Sequence, residues 1–169
     1  MGEDPIERMI APLTMSRMAF LYNESLDLLQ GQGGARDAKR AFGLNAEAAK
    51  GGHADAVLAM GWFYLNGAGV ERSIEKAKKW YRESARRSEP KAMFSLGQIA
   101  YDEREFADAL RWFTRASEAG HARSLYWIGK LYWRGHGVER DQKRAKRLFH
   151  QAATRKVAEA QRLMRFWNT

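Results

Sequence analysis

The reactive side chains of this sequence fall into four groups: four histidines, a glycine-rich stretch, a cluster of carboxylates and a run of cations. Histidine works as a metal ligand or proton shuttle only beside a partner, usually a second ligand one helical turn or one tight turn away. His53 and His121 each follow a glycine where a helix is expected to begin, so they read as turn residues. His136 stands inside a glycine turn, and His150 lies on an expected helix with no ligand four residues on. No metal site is expected. The stretch Gly31-Gln32-Gly33-Gly34 suggests a phosphate cradle, but such a loop carries Gly-Lys-Ser/Thr after a strand, and neither is present. It reads as a structural turn. Asp102, Glu103 and Glu105 are the densest carboxylates, yet they stand where a glycine turn has been lost and read as solvated. No Gly-x-Ser-x-Gly elbow offers a serine nucleophile. With no cysteine there is no thiol nucleophile, disulfide or zinc-thiolate site either. No catalytic residue, no cofactor and no enzymatic activity is expected.

The cations remain. Residues 140–147 read Arg-Asp-Gln-Lys-Arg-Ala-Lys-Arg, and they belong to a wider imbalance. Residues 1–85 hold 11 Lys or Arg against 11 Asp or Glu, whereas residues 86–169 hold 18 against 9, so the whole net charge of +9 lies in the second half. Such asymmetry points to an acidic protein surface, nucleic acid or an anionic membrane. The plain reading of the run itself is a solvated helix face. An acidic protein partner comes next, and nucleic acid third, since no nucleic-acid motif accompanies the charge.

At 169 residues, 45% hydrophobic and 29% charged, the chain suits one folded domain with its own core. No apolar run is long enough to span a bilayer. Acidic residues follow Met1-Gly2 where a signal peptide would be basic. A cytoplasmic location is therefore expected, or a periplasmic or secreted one if a leader has been removed. Ile6 occupies the position where myristoylation wants Ser or Thr.

The elements that would position these residues come from a repeat. His53-Ala54-Asp55-Ala56 recurs as Glu89-Pro90-Lys91-Ala92, His121-Ala122-Arg123-Ser124 and Val157-Ala158-Glu159-Ala160, at steps of 36, 32 and 36 residues. The first three starts lead to Gly61, Gly97 and Gly129 eight residues on. Gly67-Ala68-Gly69-Val70 recurs as Gly135-His136-Gly137-Val138, and Lys76-Ala77 as Asp108-Ala109 and Arg144-Ala145. A degenerate first copy carries Ser25 in the glycine's place. Small residues such as Ala56, Gly61 and Ala77 let helices approach closely, with aromatics such as Tyr64 and Trp80 filling the space beside them. Turn glycines take positive φ and stop the first helix. Apolar spacing is helical throughout, and no segment reads as a strand. A short helix is expected before Pro12, then helix pairs over about 14–50, 53–87, 89–119 and 121–154 and a last helix over about 157–167. Phe166 and Trp167 are expected to seal the end.

This pattern resembles the Sel-1-like repeat family, a relative of the tetratricopeptide repeat, over residues 16–160. The carrying residues are Ala56, Leu58, Gly61, Tyr64, Gly67-Ala68-Gly69-Val70, Lys76-Ala77, Trp80-Tyr81 and Ala85, repeated as Leu125, Gly129, Tyr132, Gly135-His136-Gly137-Val138, Arg144-Ala145, Phe149 and Ala152-Ala153. The copy starting at Glu89 departs from it, being four residues short and without the glycine turn. The resemblance implies a right-handed α-solenoid of about four helix–turn–helix repeats in a single domain. The repeats would cover 16–52, 53–88, 89–120 and 121–156, with a C-terminal cap over 157–169.

It also implies a bacterial adaptor for protein–protein interaction, in signalling, envelope assembly, secretion or contact with hosts and competitors, with an immunity or inhibitor role among these. In tetratricopeptide-type solenoids the first helix of each pair lines the concave face. On that analogy the exposed offsets from the repeat glycine give Asp55, Lys91 and Arg123; Leu58, Phe94 and Tyr126; Trp62, Gln98 and Lys130; and Leu65, Tyr101 and Trp133. The first and last copies add Tyr22, Leu26, Leu29, Arg162 and Phe166. The expected partner-binding set is Trp62, Leu65, Lys91, Phe94, Tyr101, Arg123, Tyr126, Lys130, Trp133 and Arg134. Leu58, Phe94 and Tyr126 have packing between repeats as their alternative. The expected partner is an acidic protein or peptide docking toward the C-terminal repeats, with the chain itself a monomer rather than an oligomer. The alternative is a nucleic-acid-binding module using the basic half.

Overall fold

Among the described residues, five helices begin where a side chain accepts a hydrogen bond from a free N–H of the first turn, and left-handed residues recur just past the helix ends. In the computed structural model, which describes residues 5–167 and their side chains from residue 14, these signals recur in register. Asp37 accepts a hydrogen bond from the Arg40 N–H, Ser73 Oγ one from Lys76, and Asp141 one from Arg144. Those three residues open α2 (Ala38–Lys50), α4 (Ile74–Arg86) and α8 (Gln142–Thr154). Such caps are worth about 1 kcal/mol each. The other helices are α1 (Pro5–Gln30), α3 (Ala54–Asn66), α5 (Pro90–Asp102), α6 (Phe106–Glu118), α7 (Ala122–Arg134) and α9 (Ala158–Trp167). No strand occurs among the described residues. The acidic start, residues 1–4, and residues 168–169 of the expected cap lie outside those described.

Pro12 does not end a helix as expected: α1 runs through it to Gln30. A proline deletes one backbone N–H and with it one i→i−4 bond, which a helix of 26 residues survives.

The chain forms two compact units, residues 1–84 and 85–169. In the first, α1 packs on α2 and α2 on α3. Gly61 of α3 lies against the Tyr81 ring, with Ala56 and Ala77 fully buried nearby in sequence. Tyr81, rather than the expected Tyr64 or Trp80, thus fills the space at that glycine. Tyr64 packs edge-on against Phe42 instead. In the second unit successive helices from α5 to α9 pack on one another. There Gly97 and Gly129 meet Phe113 and Phe149; a Cβ would stand 2.6 Å and 2.7 Å from those rings. The repeat glycine is therefore a seat for the aromatic residue of the paired helix.

The turn glycines have two separate duties. Gly67 and Gly135 are left-handed C-caps, with φ of 68° and 71°. Gly69 and Gly137 each press against the first turn of an earlier helix, α2 and α6 respectively, leaving no room for a Cβ. In the short copy α5 reaches α6 through residues 103–105 alone, and Arg104 takes the left-handed φ of 64° without being glycine. That is how the loss of four residues is absorbed.

Candidate partner-binding surface

Helix α7 buries Ser124, Leu125, Ile128, Gly129, Leu131 and Tyr132. Helical spacing then leaves Arg123, Tyr126, Trp127, Lys130, Trp133 and Arg134 along one stripe, three or four residues apart. All six are half-buried or exposed. The stripe is aromatic and cationic, and Tyr101 from the end of α5 joins it. Tyr101 packs edge-on against Trp127, with ring centroids 5.0 Å apart, and its hydroxyl accepts a hydrogen bond from Arg134 Nη1 at 3.2 Å.

Lys130 sits at the centre. Its ammonium lies 4.0 Å from the Trp127 ring centroid, 5.3 Å from Tyr101 and 5.9 Å from Tyr126. A cation is attracted to the negative face of each ring, by about 2 kcal/mol where water is largely excluded. Burial holds the Lys130 pKa below its usual value; the Arg134 charge adds to this, and Asp102 works against it. No carboxylate forms an ion pair with Lys130 or Arg134 among the described residues. Lys130 and Arg134 therefore stand on an aromatic bed without an ion-pair partner among the described residues, whereas Arg123 on the same stripe is paired with Glu159.

Beside the stripe α9 closes over α8 and leaves a cavity of about 320 Å³. Its walls are Tyr126, Lys130, Trp133 and Arg134 from α7, Phe149 from α8, and Leu163, Phe166 and Trp167 from α9. Trp167 is held against Trp133 and Phe149, at 5.3 Å and 5.8 Å between centroids. Trp167 thus seals the last repeat as expected, whereas Phe166 is 77% exposed.

The expected set is only partly gathered here. Tyr101, Tyr126, Lys130, Trp133 and Arg134 come together. Arg123 forms an ion pair with Glu159 and lies 6.0 Å from the Phe94 ring, and Lys91 is exposed near the start of α5. For Phe94 the packing alternative holds: it is buried, tilted against His121 at 4.3 Å and against Phe113 at 5.5 Å. The histidine at the repeat junction reaches back to that offset, as His53 does to Tyr22 in the first unit. Its imidazole is partly buried, which lowers the His121 pKa; Arg123 and Lys91 lower it further and Glu89 opposes them. Trp62 is 44% exposed and Leu65 half-buried, both in the first unit, where the Leu65 carbonyl accepts from Arg72 Nε at 2.9 Å. Trp127, Phe149, Leu163 and Trp167 were not among the expected residues. Phe149 had a signal, since it repeats the aromatic position of Tyr81 and Phe113.

The expected basic helix, α8, exposes Lys143, Arg144, Lys146 and Arg147. Two of these are engaged with rings: Arg144 lies 4.2 Å from Tyr132 and Lys146 5.5 Å from Trp167. No group of three or more His, Asp or Glu able to hold a metal occurs among the described residues, and no described helix is long and apolar enough to cross a membrane.

Four consecutive segments, residues 15–53, 54–88, 90–121 and 122–157, match the Sel1 repeat. A Sel1 repeat protein from Oxalobacter formigenes superimposes with a TM-score of 0.79 at 29% identity, covering 85% of this chain and 60% of its own. A protective antigen of uropathogenic Escherichia coli with an SLR fold gives 0.78 at 25% identity, over 94% of this chain and 35% of its own. Both likenesses give an all-α repeat solenoid. In sequence, a sel1-like repeat-containing protein of Acanthamoeba polyphaga mimivirus is 29% identical over 73 residues, 43% of this chain and 14% of the viral protein. The chain thus spans less than two thirds of each of these relatives.

Proposed function

Because the chain belongs to the Sel1 repeat family, we propose that it is a protein-binding scaffold whose acidic partner docks on the exposed stripe of α7 and Tyr101. Sel1 repeat proteins act in protein–protein interaction, and the fold generally serves as a non-enzymatic scaffold. The observation that carries the choice of surface is the caged Lys130. It is a partly desolvated cation with Arg134 one turn away and no carboxylate paired to either. Aromatic side chains and arginine dominate the energetics of protein interfaces, and charge complementarity sets the encounter rate.

Affinity capture with the wild-type chain and with Lys130→Glu/Arg134→Glu, side by side, tests it. The reading expects a protein retained by the first and lost by the second, with Lys143→Glu retaining it. Equal retention by all three defeats the reading. An immunity or inhibitor role is the narrower form of it, and corresponds to a captured enzyme whose activity falls on binding. For nucleic acid the candidate surface is α8, yet Arg144 and Lys146 lie against rings of the fold itself. Binding of a duplex oligonucleotide that weakens steeply with salt and is lost on reversing α8 charges instead of Lys130 would favour that alternative.

A further inference from the structure

We infer that the cavity between α7, α8 and α9 is an anchor pocket for a protein segment in which an acidic side chain stands beside a large apolar one. The inference rests on the protein-binding reading and names what that partner must carry. Lys130 and Arg134 form one wall, one helical turn apart, so that their side chains are neighbours. The other walls are Tyr126, Trp133, Phe149, Leu163, Phe166 and Trp167, and no acidic residue contributes.

Two like charges facing a largely apolar space repel one another, and burial sharpens the repulsion. Burial first and then the Arg134 charge lower the Lys130 pKa, while Asp102 opposes them, so the repulsion is the second contribution to that shift. A carboxylate between the two cations would relieve it, while a neutral or basic group would not. The space itself, at about 320 Å³, sits at the small end of ligand pockets, and its lining is mostly aromatic and aliphatic. It suits one large apolar side chain. Because Arg134 and Lys130 flank Trp133 in sequence, the carboxylate and the apolar group must come from adjacent or nearly adjacent residues. Nucleic acid meets the charge requirement less well. The Trp133 and Trp167 rings close on each other at 5.3 Å, so no slot remains between them for a base.

The probe is a displayed random dodecapeptide library, panned on the wild-type chain and on Lys130→Glu/Arg134→Glu after both are shown to melt alike. The wild type is expected to enrich Asp or Glu within two positions of Phe, Trp, Leu or Met. The reversed variant is expected to enrich Lys or Arg in the acid's place while keeping the apolar residue. An enriched wild-type peptide should shift the tryptophan emission of the chain. It should also lose about tenfold in affinity on Phe166→Ala, a mostly exposed side chain whose removal spares the core. Enrichment without an acid, no enrichment, the same motif on both proteins, or affinity untouched by Phe166→Ala each overturns the inference. So does displacement of the peptide by a single-stranded oligonucleotide at equimolar concentration. If the capture experiment still discriminates the reversed variant, the protein-binding reading survives and only the pocket's occupant is wrong.

Discussion

Gly97→Ala and Gly43→Ala are the same chemical change on two helices, with opposite signs expected. Gly43 lies exposed in α2, and an added Cβ there meets nothing within 4 Å. Alanine in a helix interior is better than glycine by about 0.8–1.0 kcal/mol, so Gly43→Ala should stabilise by about that amount. Gly97 gains the same propensity but its Cβ would stand 2.6 Å from two atoms of the Phe113 ring. Phe113 is fully buried, with the Phe94 and Trp127 rings each packed on it at 5.5 Å, so it has little room to withdraw. Overpacking of a core typically costs about 1–3 kcal/mol. The net effect is destabilisation by up to about 2 kcal/mol, and a gap of about 1–3 kcal/mol between the two variants. Urea melts followed by far-ultraviolet circular dichroism measure both. Repeat proteins need not unfold in one step, so midpoints are compared for the transition that each variant shifts. If Gly97→Ala is as stable as Gly43→Ala, the repeat glycine is not a seat for the paired aromatic.

Three further outcomes follow from the same packing. Trp62→Ala should leave the melting temperature within about 2 °C of wild type, whereas Trp133→Ala, which empties the ring contacts to Phe149 and Trp167, should lower it by several degrees, by about 2–4 °C per kcal/mol lost, in a thermal melt. Gly120 has a φ of 92° with open space around it, so Gly120→Ala should cost about 1–2 kcal/mol through backbone strain alone; Lys156→Gly, at a junction residue with φ of 63°, should cost nothing or stabilise. The His121 pKa is lowered in the folded chain, so the unfolded chain binds the proton first. Stability is then full above about pH 6.5 and falls as the pH drops toward the folded value. His121→Gln should flatten that part of a stability–pH profile relative to wild type.

The repeat was legible because its physical demands fall on residue types with no substitute. A ring seated on a helix backbone requires glycine, so Gly61, Gly97 and Gly129 mark the register. Gly69 and Gly137 mark the close approach of a turn to an earlier helix. Arg123, Tyr126, Lys130 and Trp133 on α7 were legible by offset counting from Gly129, since helical geometry alone sets them, whereas Trp127 was missed. For Phe94 the choice between surface and packing stayed open. Its burial depends on His121 reaching back from the following junction, a contact that offsets within one repeat do not contain. The cavity was hidden for a related reason. Leu163 and Trp167 lie on α9, which repeats the start of the earlier copies but carries Arg165 where they have the glycine, and offset counting there selects Arg162 and Phe166 instead. Pro12 misled through its usual association with helix ends, although losing one N–H did not break α1.

The central claim is that Lys130 and Arg134 on the α7 stripe, which have no ion-pair partner among the described residues, receive an acidic partner. The measurement that tests it most directly is the association rate with the captured partner, followed by stopped flow at low salt and again at 1 M. The screening length is about 30 Å at 0.01 M salt and 3 Å at 1 M, so steering by Lys130 and Arg134 should be visible in the first condition and gone in the second. Lys130→Glu/Arg134→Glu should slow association at least about tenfold at low salt, with Lys143→Glu on α8 much less affected and all three rates converging at high salt. A reversed variant that associates as fast as wild type at low salt would contradict the account and leave the basic half a solubilising face.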